Sequence, residues 1–452
     1  MVNKIFIFFI IISIIFRFSL INLNKGYWWD EVVYLGLAKN LYEKFEFGIP
    51  PPIESFRPVF LPILIAIGNH FYEIETIAKI IVLSFSVLSL IAVFVLAKNF
   101  YDEETALVTS IMLGTNHLFL FYGQRIFTES IFITFYSISL FSFFIGIEKQ
   151  KKFLILSAMS AAICALTKNF GFLIPIIFII YFFLRKKFDL LKSWQIYVSI
   201  LLYFIVLTPF LYFLFLNYGN FFKFLNAQSS NVPVMNSEVD FYFTKFFDVF
   251  GLNGIFILFG TFFLLRKIEH KSLFLLLTIL VPMIVFNTIL SHHKEERYLI
   301  PFFPSFFLIG ASSFKFLKKE KRIALSVLIF FSTLSFINGH WWILSQANAG
   351  IALKDACMFL KEIIKNNESV ISESYPYVFY FSGMNAIKPP SDEHEFYKTI
   401  EERNVSVVLI YYSEPGNPGY LIKELQTEKF EKLGSFINEY NSEEVAIFRY
   451  KK

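Results

Sequence analysis

The residues best suited to chemistry are Asp30 and Glu31, adjacent carboxylates in Tyr27-Trp28-Trp29-Asp30-Glu31-Val32-Val33-Tyr34-Leu35-Gly36-Leu37-Ala38, directly after a hydrophobic run. A carboxylate at the centre of a bilayer costs roughly 2.5–3.5 kcal/mol on insertion scales, so this pair must sit where water or a polar ligand reaches it. Within reach of a hydroxyl, a carboxylate can take its proton. Asp30 is the candidate base, and Glu31 would orient it or, as a like charge beside it, raise its pKa. The plainer alternative is that Asp30 caps a helix. Trp28 and Trp29 place the stretch at a membrane surface. Val33, Tyr34, Leu37, Ala38 and Leu41, at three- and four-residue spacing, predict a short helix lying along that surface on one apolar face.

Three further charged stretches could serve the same chemistry: Arg125-Ile126-Phe127-Thr128-Glu129, Thr167-Lys168-Asn169, and His292-His293-Lys294-Glu295-Glu296-Arg297-Tyr298. Arg57, Lys168 and Arg297, with Tyr298 beside the last, are candidates to hold a phosphate, arginine through a bidentate fork and lysine as a point charge. Arg125 and Lys294 are secondary candidates. Glu129 could assist Asp30, bind a cation or cap the helix it begins. Anchoring at lipid headgroups, or pairing with Glu295 and Glu296, would account for Arg57 and Arg297 without any ligand. Lys168 has no acidic neighbour in sequence, so that account does not reach it. No cofactor is established by these residues; a divalent cation is the one candidate, with His292 and His293 as weak ligands, and adjacent loop histidines are more often simply solvated.

The elements that position these residues are membrane spans. About eleven apolar runs are long enough to be read as spans, near 4–21, 77–97, 105–123, 129–147, 153–167, 170–184, 194–215, 246–265, 272–290, 300–316 and 323–344. Lys98, Lys149/Lys151/Lys152, Arg185/Lys186/Lys187/Lys192, Arg266/Lys267/Lys271 and Lys315/Lys318/Lys319/Lys321/Arg322 then all fall on one side, the cytoplasmic side by the positive-inside rule. This puts the N-terminus in the cytoplasm and every candidate residue at an outer span end or in an outer loop. Val59 to Ile67 is too short to cross and reads as a re-entrant or surface helix within a first outer loop of about 22–76. Spans five and six meet at Lys168 and suggest an outer-leaflet cavity. A second outer loop, about 216–245, has the aromatic and polar character of a lid.

Composition agrees with this division. Of 452 residues, 56% are hydrophobic, and 62 are Phe, which marks a multi-pass membrane protein. The net charge of +5 is carried by the inner-loop clusters, so no nucleic-acid partner is called for. Cys164 and Cys357 offer neither a disulfide framework nor metal-ligand spacing. The expected architecture is a mainly α-helical polytopic domain, 1–344, followed by an extracytoplasmic α/β domain, 345–452. In the latter, an amphipathic helix covers Ile351 to Ile364, and strands are predicted at Ser369-Val370-Ile371, Val405 to Tyr412 and Glu444 to Tyr450. No Gly-rich phosphate loop opens a helix there.

Five stretches in this order resemble the GT-C superfamily of integral-membrane glycosyltransferases, in the branch holding dolichyl-phosphate-mannose protein mannosyltransferases and the lipid A aminoarabinose transferase. Trp29 to Ala38 looks like its Asp-Glu motif, and Phe56-Arg57-Pro58-Val59-Phe60-Leu61-Pro62-Ile63-Leu64 like its Pro-rich loop helix. Arg125 to Ser130 looks like its second acidic site, Leu166-Thr167-Lys168-Asn169-Phe170-Gly171 like a recurring Thr-Lys turn, and Lys294 to Pro301 like a recurring Arg-Tyr-Leu-x-Pro stretch. The similarity spans about residues 1–345. It departs at Arg57, where the mannosyltransferases often carry His, so their acceptor class does not carry over.

The resemblance implies transfer of a sugar, by a hexosyltransferase-type reaction, from a polyprenyl-phosphate donor to a hydroxyl acceptor (protein, glycan or lipid) on the extracytoplasmic face, with Asp30 as base and Glu129 as the second acidic position. Membrane lipid is the surrounding partner. The residues themselves allow compatible chemistry, since such a transfer needs a base near the nucleophile and a cationic clamp on the departing phosphate. The rival is a transporter or lipid flippase. Such proteins usually place polar groups near the midplane, often in two similar halves, whereas here the charges lie at span ends and no internal repeat is evident.

Overall fold

A computed structural model describes residues 2–49, 57–220, 223, 236, 238–288, 293–317, 320–364, 368–414, 416–438 and 442–451. His292, Lys318, Lys319 and most of the expected lid lie outside the described residues. The chain is mainly α-helical with one small sheet. It divides into two compact units: residues 1–20, 58–60 and 80–343 form the first, and 21–57, 61–79 and 344–452 the second. The stretch read as the first outer loop thus falls largely with the C-terminal residues.

Seven described helices are long and apolar enough to cross a membrane: Val2–Ser19, Ile74–Phe100, Glu129–Glu148, Trp194–Tyr218, Phe246–Arg266, His270–Thr288 and Lys321–Ser345. The protein is an integral membrane protein. The other expected spans are shorter or broken, each for a local reason. The run 105–123 is interrupted at Asn116, whose extended backbone ends the helix Glu103–Thr115 and whose Oδ1 accepts the Phe119 N–H at 3.1 Å to cap His117–Tyr122. The run 300–316 yields only Phe303–Ser312 as α-helix, after a 3-10 stretch containing Pro301, because proline lacks the donor an α-helix needs. Phe153–Thr167 and Leu173–Leu184 remain short. In the first unit Glu129–Glu148 packs against Phe153–Thr167, which packs against Trp194–Tyr218.

In the second unit the five-stranded sheet has the order β2-β1-β3-β5-β4, with β1 (Ser369–Ile371), β2 (Ala386–Ile387), β3 (Val405–Tyr411), β4 (Phe430–Asn438) and β5 (Glu443–Tyr450). β1 runs parallel to β2 and β3, while β5 is antiparallel to β3 and β4. Ile371, Val408, Ile410, Ala446 and Phe448 pack with Phe396 and Ile400 of the helix Glu393–Glu402 in one buried cluster. The edge strand β4 was not legible in sequence: its register shifts between Lys432 and Gly434, which breaks the two-residue alternation.

The helix Trp29–Lys44 departs from the expected surface helix. Asp30 to Ala38 are all buried, Glu31 included, and so is Asn40. Two of these polar side chains have backbone partners: Asn40 Nδ2 donates to the Gly48 carbonyl at 2.8 Å, and the Glu31 carboxylate accepts from the Trp28 N–H at 2.7 Å. Val33 and Leu37 pack with Ile49 and Phe379. The short apolar helix expected at 59–67 is present as Phe60–Gly68.

Candidate functional site

Two groups of charged residues stand out, one in each unit. In the second, the helix Trp29–Lys44 is capped by Trp28, whose backbone N–H donates to the Glu31 carboxylate at 2.7 Å. Glu31 therefore closes the helix end and Asp30 does not cap it. Asp30 lies in the first turn, where the helix dipole favours an anion, and its Oδ1 is 2.5 Å from Arg57 Nη2. Asp30's side chain is 10% exposed and Arg57's 29%, so the pair keeps an open side toward its cation. The approach to this helix is tied down. Tyr27 hydrogen-bonds the Glu75 carboxylate, and Tyr377 donates its hydroxyl to the Tyr27 carbonyl at 2.6 Å. Burial and then the Glu75 charge push the Tyr27 phenol above its usual range, which keeps it a donor. Gly350 has a φ of +83°, and a Cβ there would meet the Tyr27 carbonyl oxygen at 2.0 Å, so only glycine fits this contact.

In the first unit, Glu129 opens the helix Glu129–Glu148 and is buried. Lys168 follows the helix Phe153–Thr167 and leads into a 3-10 turn, Asn169–Phe172. Gly171 lets that turn fold back, since a Cβ would lie 2.2 Å from the Ala165 nitrogen. Lys168 Nζ is thereby placed 2.6 Å from Glu129 Oε1, with the Tyr298 ring centroid 5.7 Å away. Tyr298 donates its hydroxyl to Glu295 Oε1 at 3.1 Å. Glu295 is also gripped by Arg297, with Nε 2.5 Å from Oε2 and Nη2 3.0 Å from Oε1, and His293 Nε2 is 2.8 Å from Oε1. The Arg297 guanidinium stands 5.4 Å from the Phe127 ring centroid. Burial alone would raise the Glu295 carboxyl; the hydrogen bond from His293 and the charge and hydrogen bond of Arg297 hold it well below the usual carboxylate range.

Glu129, Lys168, Arg297 and Tyr298 are thus brought into one continuous cluster, with Asp30, Glu31 and Arg57 in another. The two secondary candidates each make a contact of their own. Arg125 is buried with its guanidinium 5.7 Å from the Phe121 ring centroid, and Lys294 is buried with its ammonium on the Glu238 carbonyl. For a metal, His293 is engaged with Glu295, and no group of three or more His, Cys, Asp or Glu side chains is placed to hold an ion among the described residues. The residue that sequence reasoning undervalued is Glu295, read only as a partner for surface cations. Its position two residues from both His293 and Arg297 was the available signal.

Three comparisons bear on this arrangement. The family model for dolichyl-phosphate-mannose-protein mannosyltransferase matches residues 57–213. No curated protein matches the sequence. Among solved structures, ArnT from Cupriavidus metallidurans bound to undecaprenyl phosphate superposes with a TM-score of 0.75 at 11% identity, covering 98% of this chain and 97% of that one. An Archaeoglobus fulgidus oligosaccharyltransferase, in complex with Zn and sulfate, gives 0.64 at 14% identity, covering 88% and 67%. The arabinofuranosyltransferase AftD from Mycobacteria gives 0.64 at 9%, covering 98% and 40%. At these identities the likeness is one of fold alone: the chain folds like these three membrane proteins.

Proposed function

We propose that this GT-C-fold protein is a glycosyltransferase that moves a sugar from a polyprenyl-phosphate carrier to an acceptor hydroxyl on the extracytoplasmic face, with the N-terminus cytoplasmic. The observation that carries the reading is the placement of Asp30. Glu31 takes the capping role, so the ordinary structural reason for an aspartate at this helix start does not apply. Asp30 instead faces a half-buried guanidinium. In the reaction, Asp30 accepts the proton of the acceptor hydroxyl as its oxygen bonds to the sugar's anomeric carbon. The anomeric carbon–phosphate oxygen bond breaks, and the carrier leaves as a phosphate monoester with one more negative charge. That added charge is what cations can stabilise selectively. Arg57 is the candidate for that role in the unit that holds Asp30, and Lys168 and Arg297, with Tyr298 beside Lys168 and Glu295, are the candidates in the other. A donor phosphate drawing on Arg57 would also release Asp30 for its work as base. ArnT with undecaprenyl phosphate, and an archaeal oligosaccharyltransferase with a dolichol-phosphate, support a polyprenyl-phosphate donor for the same fold.

The test is transfer of labelled sugar from a panel of polyprenyl-phosphate sugars by purified protein, comparing the parent with Asp30→Asn. Label transferred by the parent and not by the variant supports the reading. Movement of the lipid across vesicles without any transfer would favour the flippase alternative and remove this one.

A further inference from the structure

The second unit holds a cavity of about 440 Å³ that the reaction above does not use. Its volume lies within the roughly 300–1,000 Å³ of small-molecule sites. Trp28, Trp29, Tyr377 and Tyr411 line it together with Glu414 and Glu443, and Gln346 adds an amide. The topology explains the placement. Tyr411 ends β3, Glu414 lies just beyond it, and Tyr377 follows β1, so the cavity opens at the carboxyl ends of two adjacent parallel strands, where open α/β sheets bind ligands. Glu443 starts the antiparallel β5 and so reaches the same edge. Trp28 and Trp29 are half-buried here.

The lining selects a ligand class. No Lys, Arg or His is among its described lining residues, so nothing there matches a phosphate or carboxylate. Aromatic faces beside carboxylates suit either a cation or a neutral polyol, whose C–H faces lie on rings while its hydroxyls meet acceptors. Two features favour the polyol. Glu443 is already occupied by the Gly350 N–H at 2.7 Å and by Asn438 Nδ2 at 3.3 Å. Burial and the neighbouring Glu373 charge raise the Glu414 carboxyl, which weakens it as a counter-ion for a bound cation.

We propose that this cavity binds a neutral sugar unit through its aromatic walls and the Glu414 carboxyl. Its assignment to the acceptor, as a recognition site for a glycosylated substrate, rests on the transferase reading above. Binding is tested apart from turnover, with full-length protein and no donor. Neutral methyl glycosides of hexoses and pentoses are the probes, with tetramethylammonium as the competing cation class, read by saturation-transfer NMR and by the protein's melting temperature. The expected result is binding of at least one glycoside, weakened at least fivefold by Tyr411→Leu and by Glu414→Gln in variants that melt cooperatively. Binding of tetramethylammonium alone, no glycoside binding by the parent, or glycoside binding that neither variant changes would each overturn the proposal. Sugar binding without transferase activity would keep the site and discard only its acceptor role.

Discussion

Replacing Lys168 by methionine separates a structural counter-ion from a phosphate ligand. Glu129 has a 1% exposed side chain, and Lys168, 17% exposed, is 2.6 Å from its Oε1. Its other oxygen, Oε2, is buried with no hydrogen-bond donor among the described residues. Lys168→Met therefore strands a buried carboxylate, and breaking such a pair costs roughly 3–5 kcal/mol. The partial exposure of Lys168 places the expectation near the lower end, about 3 kcal/mol, or roughly a hundredfold in the folding equilibrium at 1.36 kcal/mol per decade. Glu129→Gln alone leaves a lysine that can turn toward water, for a loss of about 1 kcal/mol. The double variant removes both charges and should recover most of the stability lost by Lys168→Met, leaving a loss near ~1 kcal/mol and so a coupling energy of about 3 kcal/mol. Thermal melting in detergent and sugar transfer, read on the same preparations, decide the matter. Melting should return in the double variant while transfer does not, because the phosphate would still lack its ammonium. Should Lys168→Met melt like the parent, the ion pair contributes nothing; should the double variant regain transfer along with melting, Lys168 is a counter-ion only.

Asp30→Asn should lower transfer by roughly a hundredfold or more, the usual worth of a general base, with only a modest loss in melting temperature, since Glu31 supplies the cap and the part-exposed Arg57 can turn to water; an active variant would assign the aspartate to structure. The depressed Glu295 carboxyl contributes stability that is present above its unfolded value near 4.3 and lost as pH falls through its lower folded value. Arg297→Ala should shift that acid loss to higher pH, and a pH-melting profile matching the parent's would contradict it. Glu414, with its carboxyl raised, carries the opposite sign: its cost is absent below the usual carboxylate range and sets in as pH rises through it. Glu414→Gln should consequently melt higher than the parent at pH 7 and equally at pH 4, even as it weakens sugar binding. Protease added to sealed right-side-out vesicles should remove Ser345 to Lys452; protection of that segment would reverse the orientation.

Hydrophobic run length, carboxylates and basic clusters made the membrane class, the helical fold and the charged segments legible in the sequence, because lipid permits few ways to satisfy a backbone and fewer places for a charge. The α/β character of the C-terminal segment was legible too, through residues such as Val405 to Tyr411 that alternate or run apolar for burial. Pairing was not. Glu129 and Lys168 meet because Gly171 folds a turn back, and Lys168 and Arg297 share a cluster through Tyr298 and Glu295, contacts between residues far apart in the chain. Nor could periodicity show that Glu31 rather than Asp30 closes the helix, since either carboxylate at a helix start satisfies the same local rule and only the coordinates of Trp28 and Arg57 distinguish them. The aromatic cavity was invisible for the same reason: Trp28, Tyr377, Tyr411 and Glu443 belong to separate segments, and it takes the sheet order to bring Tyr411 and Glu443 to one edge and the packing of two helix starts to add Trp28 and Tyr377.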